Sequence, residues 1–131
     1  MKIKIVFDTN FLIDIFRFKI SLEGIENYLE GKAEFFIPGS VKKELEKIGK
    51  KRIKESKYAK LALKLLEKNK IRELEEKYIG LGKNKGTDYI LLELAKAGYI
   101  IATNDAKLRK RIKELNAKII YLRNKKKIEM G

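Results

Sequence analysis

The sequence predicts a three-layer α/β fold, with a central parallel sheet of about five strands flanked by helices. Two observations carry that expectation. Short apolar segments of strand length alternate with amphipathic segments of helical period along the chain. In addition, no repeat, low-complexity stretch or linker divides the 131 residues, a length that suits one domain over 1–131.

Lys2–Phe7 (KIKIVF) alternates and then runs apolar, as a central strand does. Thr9 is placed to cap a helix with Leu12, Ile15 and Phe16 on one face. Phe35–Ile37 is a short buried strand closed by Pro38, the only proline. Ser40 then caps a helix with Val41, Leu45 and Ile48 in register, and Gly49 ends it. From Arg52 to Asn69 a longer helix is expected to turn Tyr58, Leu61, Ala62, Leu65 and Leu66 inward. Ile71–Leu74 is a third strand. Gly80 to Gly86 is a basic loop, and Thr87–Ala97 a helix stopped by Gly98. Tyr99–Ala102 and Lys118–Leu122 are strands around an Asp105–Leu115 helix that buries Leu108, Ile112 and Leu115. Residues 123–131 read as a basic tail.

Composition narrows the chemistry. There is no cysteine and no histidine, which removes disulfides, thiolate sites, histidine-based relays and an ordinary zinc site. What remains is carboxylates, lysines and hard ions held by oxygen. Lys and Arg number 32 against 18 Asp and Glu, a net charge of +14 that favours a polyanionic partner. No apolar run reaches membrane-spanning length and no secretory signal is visible, so a cytoplasmic location without membrane attachment is expected.

Sites in parallel sheets lie beyond the carboxyl ends of the strands. Asp8 follows the first strand, Asp105 follows Tyr99–Ala102, and Asp88 opens the helix after the glycine-rich loop. Any one of them reads equally well as a helix cap, but Thr9 and Thr87 are available for that role. Glu44 shares a helix face with Val41, Leu45 and Ile48, where an acid needs compensation, either by a lysine or by a cation. Four such carboxylates suit Mg²⁺ or Mn²⁺, one ion or two, activating water against a phosphodiester. Asp14 is assigned to an exposed pairing with Arg17. The loop is no P-loop, because Gly86 stands where lysine must precede Thr87. A haloacid-dehalogenase phosphatase is excluded as well, since Asn10 replaces its second aspartate.

DTNFLID at 8–14, VKKELEKI at 41–48, TDYILLELAKAGYIIATND at 87–105 and the LRKRIKE that follows resemble a PIN-domain nuclease. The likeness implies a Mg²⁺- or Mn²⁺-dependent endoribonuclease with Asp8, Glu44, Asp88 and Asp105 as catalytic and metal-binding acids. Thr9, Asn10, Thr103 and Asn104 would support them by hydrogen bonds, and Lys83 and Lys85 are candidates for RNA backbone contact. Within the family the chain resembles VapC toxins, which cleave tRNA, rRNA or mRNA and are silenced by an antitoxin. It also resembles archaeal PIN proteins similar to rRNA-processing nucleases, the alternative to the favoured toxin reading. A homodimer is a further expected assembly, and a non-catalytic RNA-binding module is the alternative from another class.

Overall fold

The computed structural model describes residues 2–74, 86–124 and 127–131. The chain runs β1 (Ile3–Phe7), α1 (Thr9–Arg17), α2 (Leu22–Leu29), β2 (Ala33–Pro38), α3 (Gly39–Gly49) and α4 (Glu55–Glu67). It continues β3 (Arg72–Leu74), α5 (Thr87–Lys96), β4 (Ile100–Ala102), α6 (Ala106–Glu114), β5 (Ile119–Arg123) and β6 (Lys127–Met130). The strands form one sheet in the order β3-β2-β1-β4-β5-β6. All neighbours are parallel except β5 and β6.

Alternation along β1 explains the layers. Ile5 and Phe7 belong to one core with Phe11, Leu12, Ile25, Leu45 and Ala62, so α1 to α4 cover that face. Val6 points to the other core, with Ile90, Leu91, Leu94, Leu108 and Ile112 of α5 and α6. The Phe7 ring stacks on Phe11 at 5.7 Å and on Phe35 at 5.5 Å, locking α1 and β2 to the strand that precedes the site. Burying each such ring contributes about 1.5–3 kcal/mol.

Several expectations are corrected. Among the described residues the sheet has six strands against the about five expected, because residues 127–130, read as part of the tail, pair antiparallel with β5. The helix α2, capped by Ser21, was not anticipated. Helix α1 is capped by Asp8, not Thr9, and α3 begins without a side-chain cap, Ser40 lying inside its first turn. Leu61 and Leu115 face outward, at 41% and 39% exposure. In α4 the fully buried positions are Ser56, Ala59 and, as expected, Ala62, while Tyr58, Leu65 and Leu66 are half-buried against the core. None of the helices among the described residues is long and apolar enough to cross a membrane.

Candidate active site

Chain order reverses at β1, which has β2 on one side and β4 on the other. At such a switch point the two following loops diverge and leave a crevice beyond the strand ends. Asp8 enters it directly from β1, its backbone N–H donating to Ala102 O at 2.9 Å. Thr103, Asn104 and Asp105 enter it from β4.

Asp8 is held on both oxygens. Oδ1 accepts from Thr9 N at 2.8 Å, and Oδ2 accepts from the Thr103 hydroxyl at 2.8 Å. Its pKa is raised from the ordinary carboxylate value. Burial is the main cause, the hydrogen bonds from Thr103 and Thr9 oppose it, and the charges of Asp88 and Glu44 add to it. Three of the four candidate acids thus interact electrostatically. The fourth is tied in through Thr103, whose fully buried hydroxyl also accepts from Asp105 N at 3.2 Å.

Asp105 does cap a helix, against the argument that threonines would take that work: its Oδ1 accepts from Lys107 N at 2.9 Å and Leu108 N at 3.2 Å. Glu44 is exposed and not part of a buried stripe; Val41 and Leu45 are buried beside it. It is aimed by Thr87, whose hydroxyl donates to Glu44 Oε1 at 3.1 Å and meets Ser40 Oγ at 3.2 Å. Thr87 was not foreseen in this role, since nothing local in the sequence marks a contact between α5 and α3. Asp88 is exposed in the first turn of α5.

The expected supporting residues divide. Thr103 hydrogen-bonds Asp8 and Asp105 N, and Asn10 lines a groove of about 630 Å³ with Asp14, Arg17 and Asp105. Asn104 is fully committed elsewhere. Its Nδ2 donates to Asp14 Oδ2 at 2.9 Å and its Oδ1 accepts from Leu122 N at 2.8 Å, stapling α1 to β5. Asp14 is accordingly more than an exposed partner of Arg17, although that contact exists at 3.1 Å. Thr9 Oγ1 is buried without a hydrogen-bond partner. Lys83 and Lys85 lie outside the described residues.

The donors gathered here are all hard oxygens, which suits Mg²⁺ or Mn²⁺ and not zinc. Among the described residues no three acids stand close enough to enclose an ion as they are placed. Asp8 is held on both oxygens and Glu44 by Thr87, whereas Asp88 is exposed in the first turn of α5.

Residues 5–125 match the family model of the PIN like domain. The chain belongs to this family. This PIN-like chain is 35% identical over 133 residues to Ribonuclease VapC4 of Methanocaldococcus jannaschii, spanning 97% of this chain and 95% of the relative. It is 33% identical over 124 residues to Ribonuclease VapC9 of Archaeoglobus fulgidus, spanning 94% and 85%. In three dimensions it is similar to the PIN domain endonuclease Utp24, with a TM-score of 0.78 and 26% identity over 98% of this chain and 90% of the other.

Proposed function

We propose that this PIN-like chain is a divalent-metal-dependent endoribonuclease, with Asp8, Glu44, Asp88 and Asp105 as its acids and RNA as its substrate. The observation that carries the reading is Asp8 itself, a largely buried carboxyl at the switch point with two acids raising its pKa in a +14 protein. A carboxylate kept there against desolvation and like charge is a cost to the fold that a bound cation removes. When bound, Mg²⁺ or Mn²⁺ would neutralise charge at the scissile phosphate and make a nearby water more acidic. The chain's own residues do the rest. Thr103 fixes the Asp8 carboxylate, Thr87 directs Glu44, and the basic surface attracts the RNA.

Cleavage of labelled RNA by the purified chain is expected with Mg²⁺ or Mn²⁺ and is expected to vanish in excess chelator. Undiminished cleavage in chelator would sink the metal-dependent reading. The biological role we favour is a toxin silenced by an antitoxin, supported by the similarity to two ribonucleases of VapC name. Growth arrest on expression, relieved by co-expressing the product of a neighbouring short reading frame, tests it. An RNA-processing role is the second reading, and it predicts discrete products from a structured precursor without growth arrest.

Glu44 separates a site role from a structural one. Because it is exposed, Glu44→Gln is expected to change metal-free stability by no more than about 0.5 kcal/mol. Mg²⁺ affinity and cleavage are expected to drop together. Thermal melts and a cleavage assay on the same preparation decide; a destabilised but fully active variant removes Glu44 from the site.

A further inference from the structure

We propose that the chain carries a second RNA-binding site, a lysine-lined groove at the amino-terminal ends of the strands that grips the phosphate backbone. The choice of occupant rests on the ribonuclease reading. A groove of about 600 Å³ opens where β1, β4 and β5 begin, walled by Lys2, Lys4, Lys96 and Lys118 around Tyr99. Among the described residues no acid lines it. An adjoining hollow of about 630 Å³ shares Lys4, Lys96 and Tyr99, and the acid it adds among the described residues, Glu93, is paired with Lys96 at 3.1 Å.

Lys2, Lys4 and Lys118 are exposed, and none has a carboxylate partner among the described salt bridges. Lys4 Nζ lies 5.8 Å from the centre of the Tyr99 ring, which keeps the ammonium over the groove. Gly98, at φ 101°, forms part of the wall, and open space lies where its Cβ would be. Backbone is therefore approachable there, as close contact with a phosphate requires. The contrast with the groove beside the carboxylates is direct. There Arg17 and Lys51 are accompanied by Asp14, Glu55 and Asp105. Unpaired like charges gathered in one concavity repel each other unless an anion sits between them. A phosphodiester chain supplies regularly spaced charge and releases counterions on binding.

The two sites are separate. They lie at opposite ends of β1, a strand of five residues, hence about 16 Å apart at ~3.3 Å per residue. Only an RNA long enough to pass around the sheet edge reaches both, so the groove is expected to favour long substrates without reading their sequence.

The test uses the full chain carrying Asp8→Asn, so that RNA stays intact, and measures binding to a short and a several-fold longer single-stranded RNA across salt concentrations. The triple variant Lys2→Ala, Lys4→Ala and Lys118→Ala is compared with a control that removes the same charge from exposed positions on and just after α4, Lys60→Ala, Lys64→Ala and Lys68→Ala. For the long RNA, the groove variant is expected to lower the slope of log affinity against log salt by about 2, at ~0.7 per phosphate contact. Its affinity should fall on the order of tenfold or more, with the short RNA unaffected and the control smaller in effect. Equal losses in both triples, equal losses for both RNA lengths, or no loss would overturn the groove. So would retention of RNA affinity alongside lost binding to an acidic protein. The ribonuclease reading fails separately: a chain that binds long RNA through the groove but never cleaves it keeps this proposal and ends that one.

Discussion

Replacing Asp8 by asparagine is expected to abolish RNA cleavage while leaving the metal-free protein at least as stable as the parent at neutral pH. The loss of activity should exceed the ~10–100-fold that follows removal of an outer-shell partner, because Asp8 is the fixed member of the cluster. The stability effect has the opposite sign to that of most buried substitutions. Burial, together with the charges of Asp88 and Glu44, holds the Asp8 pKa above its ordinary value despite two hydrogen bonds to the carboxylate. Between the ordinary carboxylate range and that raised value, the folded chain binds more protons at Asp8 than the unfolded chain does. Stability contributed by Asp8 is therefore fully present in acid and is lost as pH rises through the raised pKa. Asparagine cannot ionise, so the advantage of Asp8→Asn should appear above that window and disappear below it. Thermal melts in chelator from acid to neutral pH measure the crossover. A variant less stable than the parent at neutral pH would mean that the hydrogen bonds outweigh desolvation. The effect of Mg²⁺ on the melts should reverse the order, raising the parent and not the variant.

The contrast between what the sequence reveals and what it conceals follows the range of the forces involved. Strands β1, β2, β4 and β5 were legible because burial on both faces leaves short apolar runs such as IVF of β1 and IIYL of β5. The acids at strand ends were legible because a parallel sheet restricts where a site lies. Strand β6 was not: KIEM alternates, with Ile128 and Met130 packed against the core, but four residues after a run of lysines are too few for that period to stand out. Lys127 and Glu129 keep this edge strand charged, which discourages pairing with other chains. Helix α2 has only eight residues with Gly24 inside it, below the length at which periodicity outweighs a breaker. The Glu44 burial argument failed because it treated one helix face as uniformly inward, whereas α3 packs through Val41 and Leu45 and leaves Glu44 at the rim. The contacts least visible were those that organise the site. Asn104 reaches Asp14, 90 positions away, and Thr87 reaches Glu44, 43 away. No local pattern encodes such pairs.

Thr103→Val should have the second-largest effect, because one hydroxyl serves two acids. Thr103 is fully buried, donates to Asp8 Oδ2 at 2.8 Å and accepts from Asp105 N at 3.2 Å. Valine keeps the shape and removes both bonds, leaving a buried carboxylate oxygen and a backbone N–H unmatched. A hydrogen bond to a charged group is worth ~1.5–3 kcal/mol, so a loss of about that size is expected at neutral pH. In acid, where Asp8 carries its proton, the loss should shrink toward the ~0.5–1.5 kcal/mol of a neutral bond. Fully buried and bonded to Asp8, Thr103 is assigned as a positioning residue acting through that carboxylate. Cleavage should therefore fall ~10–100-fold through kcat, with KM for RNA little changed. Thr103→Ser, which restores the hydroxyl, should recover most of the rate. The double variant with Asp8→Asn should be no less active than Asp8→Asn alone, as residues acting through one group are not additive. A Thr103→Val protein that loses stability yet cleaves at the parental rate would reduce the hydroxyl to a structural tie. A serine variant as slow as the valine variant would place the effect in packing, since serine also lacks the methyl group.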